Sequence, residues 1–307
     1  MYMEYVLETR GLTKRYGNHA AAQNINIHIR KGEIYGLIGR NGAGKTTIMR
    51  VISGLANPTS GDYTLFGKSG SELGKMRRKV GVLIESPGLY PHLSAQENLR
   101  LKCLGMGVKP SENIEPLLQL VGLGGIDKRK QAGSFSLGMR QRLGVALALV
   151  GNPEIIILDE PINGLDPQGI AEVRTMLEKL RDERGMTIMI SSHILDELAK
   201  IADSYGIIHE GRLLDEFTAE VLQERCGQSI AIRTGNNEGA VEALKDLGLK
   251  KITIAHDGFI RVGENLDRSA SMAKAIVEAG IPLHEIYVRN ISLEDYYLRM
   301  TGGKQDA

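Results

Sequence analysis

Eight consecutive residues, Gly39-Arg40-Asn41-Gly42-Ala43-Gly44-Lys45-Thr46, match the pattern G-x-x-x-x-G-K-[ST] without a break. Glycines at this spacing let the backbone curl so tightly that several N–H groups point at one anion. Lys45 adds a full positive charge, and Thr46 a hydroxyl for the magnesium that accompanies a nucleoside triphosphate. Thr47 follows at the start of a helical stretch and completes the expected phosphate-contact set. Further along, Ile155-Ile156-Ile157-Leu158-Asp159-Glu160 is a run of apolar residues closed by two acids. Asp159 is placed to hold magnesium directly or through water, and Glu160 to polarise an attacking water as general base. An acid pair after an apolar strand is by itself only a solvated strand end. Lys45 and Thr46 upstream make the catalytic reading the better one.

The elements around these residues have the right kind to position them. Ile34–Ile38 reads as a buried strand leading into the loop, and the helix behind it adds the partial positive charge of its N-terminus. Ile155–Leu158 is apolar at every position, which implies a strand buried on both faces of a parallel sheet, beside the loop strand. Its acids then sit at the carboxyl end, where open α/β sheets place their ligands. Thr187–Ile190 reads as the next buried strand, leading to Ser191-Ser192-His193. Asp166-Pro167 opens a helix with a cap and a first-turn proline, its apolar stripe Ile170, Val173, Leu177 and Leu180, ending at Gly185.

The intervening stretches differ in kind. Tyr5–Thr9 and the alternating Asn24–Ile29 read as half-exposed antiparallel strands, with Tyr16 in the loop between them. Tyr63–Phe66 and Lys79–Ile84 are further strands, the second ending at Glu85. From Pro87 the pattern turns helical. Ser94-Ala95-Gln96-Glu97 is a capping box, Ser111 is expected to cap a second helix ending at Gly122, and Lys128-Arg129-Lys130 reads as a solvated face. Ser134–Arg142 opens a third helix that stops at Gly151-Asn152-Pro153. Gly206–Leu214 reads as a hairpin turning at Glu210-Gly211. After Phe217, strand-like Ser229–Arg233, Lys251–Ala255 and Phe259–Val262 alternate with helical Glu238–Leu247 and Ser271–Ala279, an order with a ferredoxin-like flavour.

Composition sets the bounds. The 307 residues suffice for one large domain and one small one, and 42% hydrophobic with 24% charged residues is ordinary for a soluble protein. A net charge of +1 offers no electrostatic case for nucleic acid. Cys103 and Cys226 stand far apart and read as reduced cytosolic thiols. The start, Met1-Tyr2-Met3-Glu4, does not resemble a signal peptide, and no window approaches the roughly 18–20 apolar residues of a membrane span.

In order and spacing these residues resemble the ATP-binding cassette ATPases over about residues 4–220. Gly39–Thr46 corresponds to Walker A and Ile155–Asp159 to Walker B, followed by Glu160. Ser136-Leu137-Gly138-Met139-Arg140-Gln141 is similar to the signature motif, Leu165-Asp166 to the D-loop and His193 to the switch histidine. Tyr16 matches the aromatic that stacks on adenine. The resemblance implies an α/β, P-loop NTPase fold with antiparallel β subdomain, RecA-like core and a helical subdomain at about 87–150, within residues 1–220. A small α+β domain is expected at 221–307. It also implies ATP and Mg2+ as cofactors and a head-to-tail partnership with a second ATPase subunit, each ATP lying between one Walker A and the other chain's Ser136 and Gly138. Asp166 is counted with that nucleotide set, and His193 as the sensor of the γ-phosphate.

Two departures carry the reading further. The signature keeps Ser136 and Gly138 but has Leu137 and Met139 where the family has glycine and glutamine. The Q-loop position is Glu85, which keeps an oxygen for magnesium and exchanges an amide donor for a charge. With Ile84-Glu85-Ser86-Pro87 and Ser292-Leu293-Glu294-Asp295-Tyr296-Tyr297, these features resemble the bacitracin-export and lantibiotic-immunity subgroup. That implies a membrane permease docking near Glu85–Leu101, attachment at the inner face of the cell membrane, and expulsion of a peptide antibiotic. The competing reading is a non-transport cassette ATPase with a soluble partner, but there is one Walker A and no sustained heptad pattern. A GTPase switch fits less well still, since Asp166-Pro167-Gln168-Gly169 follows Walker B and no N-K-x-D is present.

Overall fold

The computed structural model describes residues 5–225, 228–255, 257–290 and 293–302; Met1–Glu4, Cys226 and Ser292, on which expectations fell, lie outside the described residues. The chain divides into two compact units, Met1–Ala219 and Glu220–Ala307.

The first unit contains two sheets. Its antiparallel sheet joins β1 (Tyr5–Tyr16), β2 (His19–Ile25), β3 (His28–Arg30) and β5 (Ser60–Leu65). β1 runs on to Tyr16, well past the expected end at Thr9, because it exchanges partners along its length: Tyr5–Glu8 pair with β3, and Leu12–Tyr16 with β2. The alternating stretch from Asn24 to Ile29 breaks into two strands, not one. Asn24 adopts φ +52°, and the Thr9 hydroxyl donates to Ile25 O at 2.9 Å and accepts from Ile27 N at 2.8 Å, taking up backbone groups left without a ladder partner.

The second sheet has six strands in the order β10-β9-β4-β8-β7-β6. These are β4 (Ile34–Ile38), β6 (Val80–Leu83), β7 (Ile155–Asp159), β8 (Thr187–Ser192), β9 (Ser204–His209) and β10 (Arg212–Thr218). All pairings are parallel except β9 with β10, which form a hairpin turning at Glu210 and Gly211. β4 and β7 are buried at every position, as uninterrupted apolar runs require, and each such side chain removed from water contributes roughly 1.5–3 kcal/mol. One expectation is corrected here: β7 does not lie beside β4. β8 intervenes and pairs with both, so its final serines stand between the loop and the acids.

The helices of this unit are α1 (Lys45–Ile52), α2 (Leu73–Met76), α3 (Ala95–Met106), α4 (Pro110–Leu120), α5 (Leu137–Ala148), α6 (Pro167–Arg184) and α7 (Leu195–Leu198); α8 (Ala219–Arg225) begins the second unit at Glu220. The capping box at Ser94 and Glu97 is present in both directions, at 2.7 and 3.3 Å. α4 starts two residues earlier than expected: Lys109 is its cap and Pro110 its first residue, so Ser111 lies inside the first turn. Proline is pre-set for that position and needs no N–H there. Cys103 is buried in α3, where desolvation raises its thiol pKa.

The second unit has the order β11 (Gln228–Thr234), α9 (Asn237–Asp246), β12 (Ile252–Ile254), β13 (Ile260–Val262), α10 (Ser269–Glu278), β14 (Leu283–Asn290), with α11 (Leu293–Thr301) after it. The sheet order β12-β13-β11-β14, antiparallel throughout, is the ferredoxin-like arrangement. Ile230, Ile232, Ile260 and Val262 meet Ala240, Leu244, Met272 and Ile276 of the two helices in its core. β14 had no counterpart in the sequence reading. Its apolar residues Leu283, Ile286 and Val288 are interleaved with charged ones, and β11 is its sole strand partner among the described residues.

Candidate active site

The carboxyl edge of the six-stranded sheet gathers the chemistry. Parallel register sets Ile38 opposite Ser192, and Asp159 opposite Ser191, so the phosphate loop, the end of β8 and the two acids form one row. The loop itself is locked from outside. Gly44 adopts φ +109°, and a Cβ there would lie 2.3 Å from Ala21 O; one on Gly39 would lie 2.6 Å from Ile208 O. Both positions therefore exclude any side chain. Gly211 N donates to Ala43 O at 2.9 Å and Gln23 N to Gly211 O at 2.7 Å, tying loop, hairpin and β2 together. Arg40, Asn41 and Gly42 form its exposed crest, and Thr46 and Thr47 sit half-buried in the first turn of α1.

Lys45 is buried, yet its ammonium is fully engaged. It donates to Gly39 O at 2.5 Å and Arg40 O at 3.3 Å, and lies 3.0 Å from Glu160 Oε1. Oε1 accepts no hydrogen bond, so the ammonium acts on it as a charge. The other oxygen, Oε2, is 2.7 Å from His193 Nδ1. A carboxylate only accepts, so Nδ1 carries the proton in this pair. Glu160 itself takes φ +50°, an uncommon conformation for this residue type, and its N–H donates to Ser191 Oγ at 2.9 Å.

Asp159 is buried and receives two hydroxyls: Thr46 Oγ1 at 2.7 Å and Ser191 Oγ at 2.6 Å. This converging set of hard oxygen donors fits magnesium, which takes one or two protein oxygens and completes its shell with phosphates and water. Ser191 is the functional residue that the sequence reading passed over. It accepts from the Glu160 backbone and donates to the Asp159 carboxylate, so a single hydroxyl fixes the relation between the two acids. Its signal was available only as an unassigned serine one strand away.

Glu85 stands two residues beyond β6, at the same carboxyl edge, with φ +66°. It is not joined to Thr46 or Asp159 by a hydrogen bond; Arg50 of α1 donates to it instead. That hydrogen bond raises the Arg50 pKa, with a smaller opposing effect of burial and further support from the Glu85 charge and from Tyr16.

Tyr16, expected in a loop, is the last residue of β1 and 48% exposed, with the Lys14 ammonium 5.0 Å above its ring. An exposed ring at this end of the strand is available for stacking, which contributes about 1–3 kcal/mol per base. Tyr16→Ala is expected to weaken ATP affinity by about 5- to 150-fold, measured by calorimetric titration; unchanged affinity would return Tyr16 to strand-end packing.

The remaining residues lie apart. Ser136 caps α5 by accepting from Met139 N at 3.2 Å, and Gly138 sits in its first turn facing Leu165. Asp166 caps α6 through Gly169 N at 3.0 Å, so its carboxylate is engaged by its own helix. Among the described residues no hydrogen bond or ion pair joins Ser136, Gly138 or Asp166 to the Lys45–Asp159–Glu160 cluster.

Known proteins match this arrangement. The ABC transporter family pattern matches residues 22–163. The bacitracin transport ATP-binding protein BcrA of Bacillus licheniformis is 41% identical over 303 residues, covering 98% of this chain and 99% of that one. The lantibiotic transport ATP-binding protein SrtF of Streptococcus pyogenes is 49% identical over 211 residues, 69% of this chain and 90% of its own. Among solved structures, a dimeric ATP-binding cassette in a post-hydrolysis state with ADP and phosphate aligns with TM-score 0.63 and 26% identity, over 69% of this chain and 98% of that one. The chain belongs to the ABC transporter family, as an ATP-binding and ATP-hydrolysing subunit.

Proposed function

We propose that this ATPase drives export of a peptide antibiotic or a similar amphipathic compound through a separate membrane permease. The observation that carries the substrate class is similarity to a bacitracin transport ATP-binding protein along 98% of the chain, second unit included. Among the described residues no helix is long and apolar enough to cross a membrane, so the transport path belongs to a partner in this reading. The chain would then sit at the inner face of the cell membrane, held by that permease.

In this reading the residues divide the work as follows. Thr46 and Asp159, with Glu85 as a further oxygen donor, would hold magnesium, which when bound offsets charge on the phosphates. Gly39–Thr47 cradle the triphosphate and Tyr16 stacks on the base. An incoming γ-phosphate competes with Glu160 for Lys45; once released, Glu160 can accept a proton from water, with His193 holding its other oxygen. Ser136 and Gly138 lie at a separate helix N-terminus, an anion-binding end suited to the ATP of a second subunit packed head to tail. A cleft of about 340 Å³ lined by Glu85, Ser86, Pro87, Leu89, Arg140 and Gln141 adjoins both Glu85 and α5. A permease element seated there would touch the Q-loop position and the signature helix together.

The test is to isolate the chain from its native membrane under mild detergent and identify its companions. An integral membrane protein in fixed ratio is expected. A ribosome or DNA without any membrane protein would overturn the transporter reading in favour of a soluble target.

A further inference from the structure

The run Lys128-Arg129-Lys130 reads in sequence as a solvated face, but the fold brings it against another element. Ala132 N donates to Leu93 O at 2.8 Å and Ser94 forms a β-bridge with Gln131, which pins the run beside the N-terminus of α3. The result is a concavity of about 480 Å³ whose lining includes His92, Arg100, Lys128 and Arg129 and the acid Glu97.

Its charges are unevenly committed. Arg100, Lys128 and Arg129 make no side-chain hydrogen bond or ion pair among the described residues. The nearby acids are occupied by backbone. Glu97 accepts from Ser94 N at 2.7 Å, which lowers its pKa, and Asp127 accepts from Arg129 N at 2.9 Å. Three cations without side-chain partners thus face one pocket whose single lining carboxylate, Glu97, offsets only one of them, and the positive surplus suits an anion with several oxygens.

The surroundings say which anion. Arg100 and Leu104 share one stripe of α3, four residues apart. Leu104 is 60% exposed, and Tyr90, also exposed, makes an edge contact with His92 at 6.3 Å and lines a neighbouring cleft with Leu101. Exposed aliphatic and aromatic residues bordering a basic pocket are the pattern of a surface that meets anionic lipid. A nucleic acid would leave the aliphatic residues without use.

We propose that His92, Arg100, Lys128 and Arg129 form a binding site for the phosphate of anionic phospholipid headgroups, so that the helical region touches the bilayer directly. The proposal rests on the reading of the chain as a membrane-face subunit. The two fail separately, however: vesicles without a permease test this site, and co-purification tests the permease.

The experiment compares binding of the full chain to phosphatidylglycerol/phosphatidylcholine vesicles and to phosphatidylcholine alone, by co-sedimentation. Binding to the anionic vesicles is expected, falling with added salt. The variant Arg100→Gln/Lys128→Gln/Arg129→Gln should lose roughly 100-fold in affinity, from about fivefold per cation, with unchanged thermal midpoint and ATP turnover in solution. Neutralising Lys31, Lys75 and Lys179, exposed elsewhere, should leave vesicle affinity unchanged. Equal binding to both vesicle types would overturn the proposal, as would equal losses in the two triple variants. Displacement by inorganic phosphate at a far lower ionic strength than sodium chloride requires would assign the pocket to a soluble anion, and tighter binding of RNA through the same cations would assign it to nucleic acid; either result overturns the lipid site.

Discussion

Glu160→Gln keeps ATP binding and nearly abolishes turnover. Glutamine has the same shape, and its amide oxygen can still face the ammonium of Lys45, 3.0 Å from Oε1 in the wild type, or the Nδ1–H of His193. Substrate contacts and the backbone at φ +50° are therefore preserved. What disappears is a group able to take a proton from water. General-base assistance is worth about 10²–10⁴-fold, or roughly 3–5.5 kcal/mol of barrier, and that is the loss expected in kcat. If ATP is held between two subunits, the same variant accumulates as an ATP-dependent dimer, seen as a shift in size-exclusion mass on adding nucleotide. Normal hydrolysis by this variant would falsify the general-base assignment.

Lys45→Ala should remove most nucleotide affinity. The lysine contributes a charge-assisted hydrogen bond to phosphate, worth about 1.5–3 kcal/mol and so about 10- to 150-fold in Kd. The structure adds a second consequence. Lys45 is buried with its charge on Glu160, so deletion leaves that carboxylate with His193 alone beside it and no ammonium to offset its charge. The single variant is expected to melt at a lower temperature than wild type, and Lys45→Ala/Glu160→Gln to recover part of the loss, because the stranded charge has gone. Affinity should not recover in the double variant. Unchanged ATP binding by Lys45→Ala would refute the phosphate-loop role, and a double variant no more stable than the single one would remove the buried ion pair.

These two residues also mark how far the sequence can be read. The identity of each chemical group was legible, since a phosphate-cradling loop and an apolar strand ending in acids are local patterns whose spacing is set by backbone geometry. So were the parallel sheet, from runs such as Ile155–Leu158, and the capping box at Ser94, from side chains that meet within one turn. Errors arose where the outcome depended on a distant partner. β1 continued to Tyr16 because β2 was there to pair with it, and β14 was missed because β11, far away in the chain, supplies its ladder. Lys109 caps α4 where Ser111, two residues later, reads as the natural cap.

What the sequence alone determined, then, is the inventory: a lysine and a hydroxyl closing a glycine-rich loop, an acid pair, a histidine, a second helix cap and a glutamate at the Q-loop position. The tertiary structure decided their commitments. It placed β8 between loop and acids and joined Ser191 to the Asp159 carboxylate and the Glu160 backbone, paired Lys45 with Glu160, and turned Glu85 toward Arg50. The reason is physical. Local spacing specifies which side chains share a turn or a strand, whereas the partner of a buried charge is set by strand order and register, which only the folded sheet brings within a few ångströms.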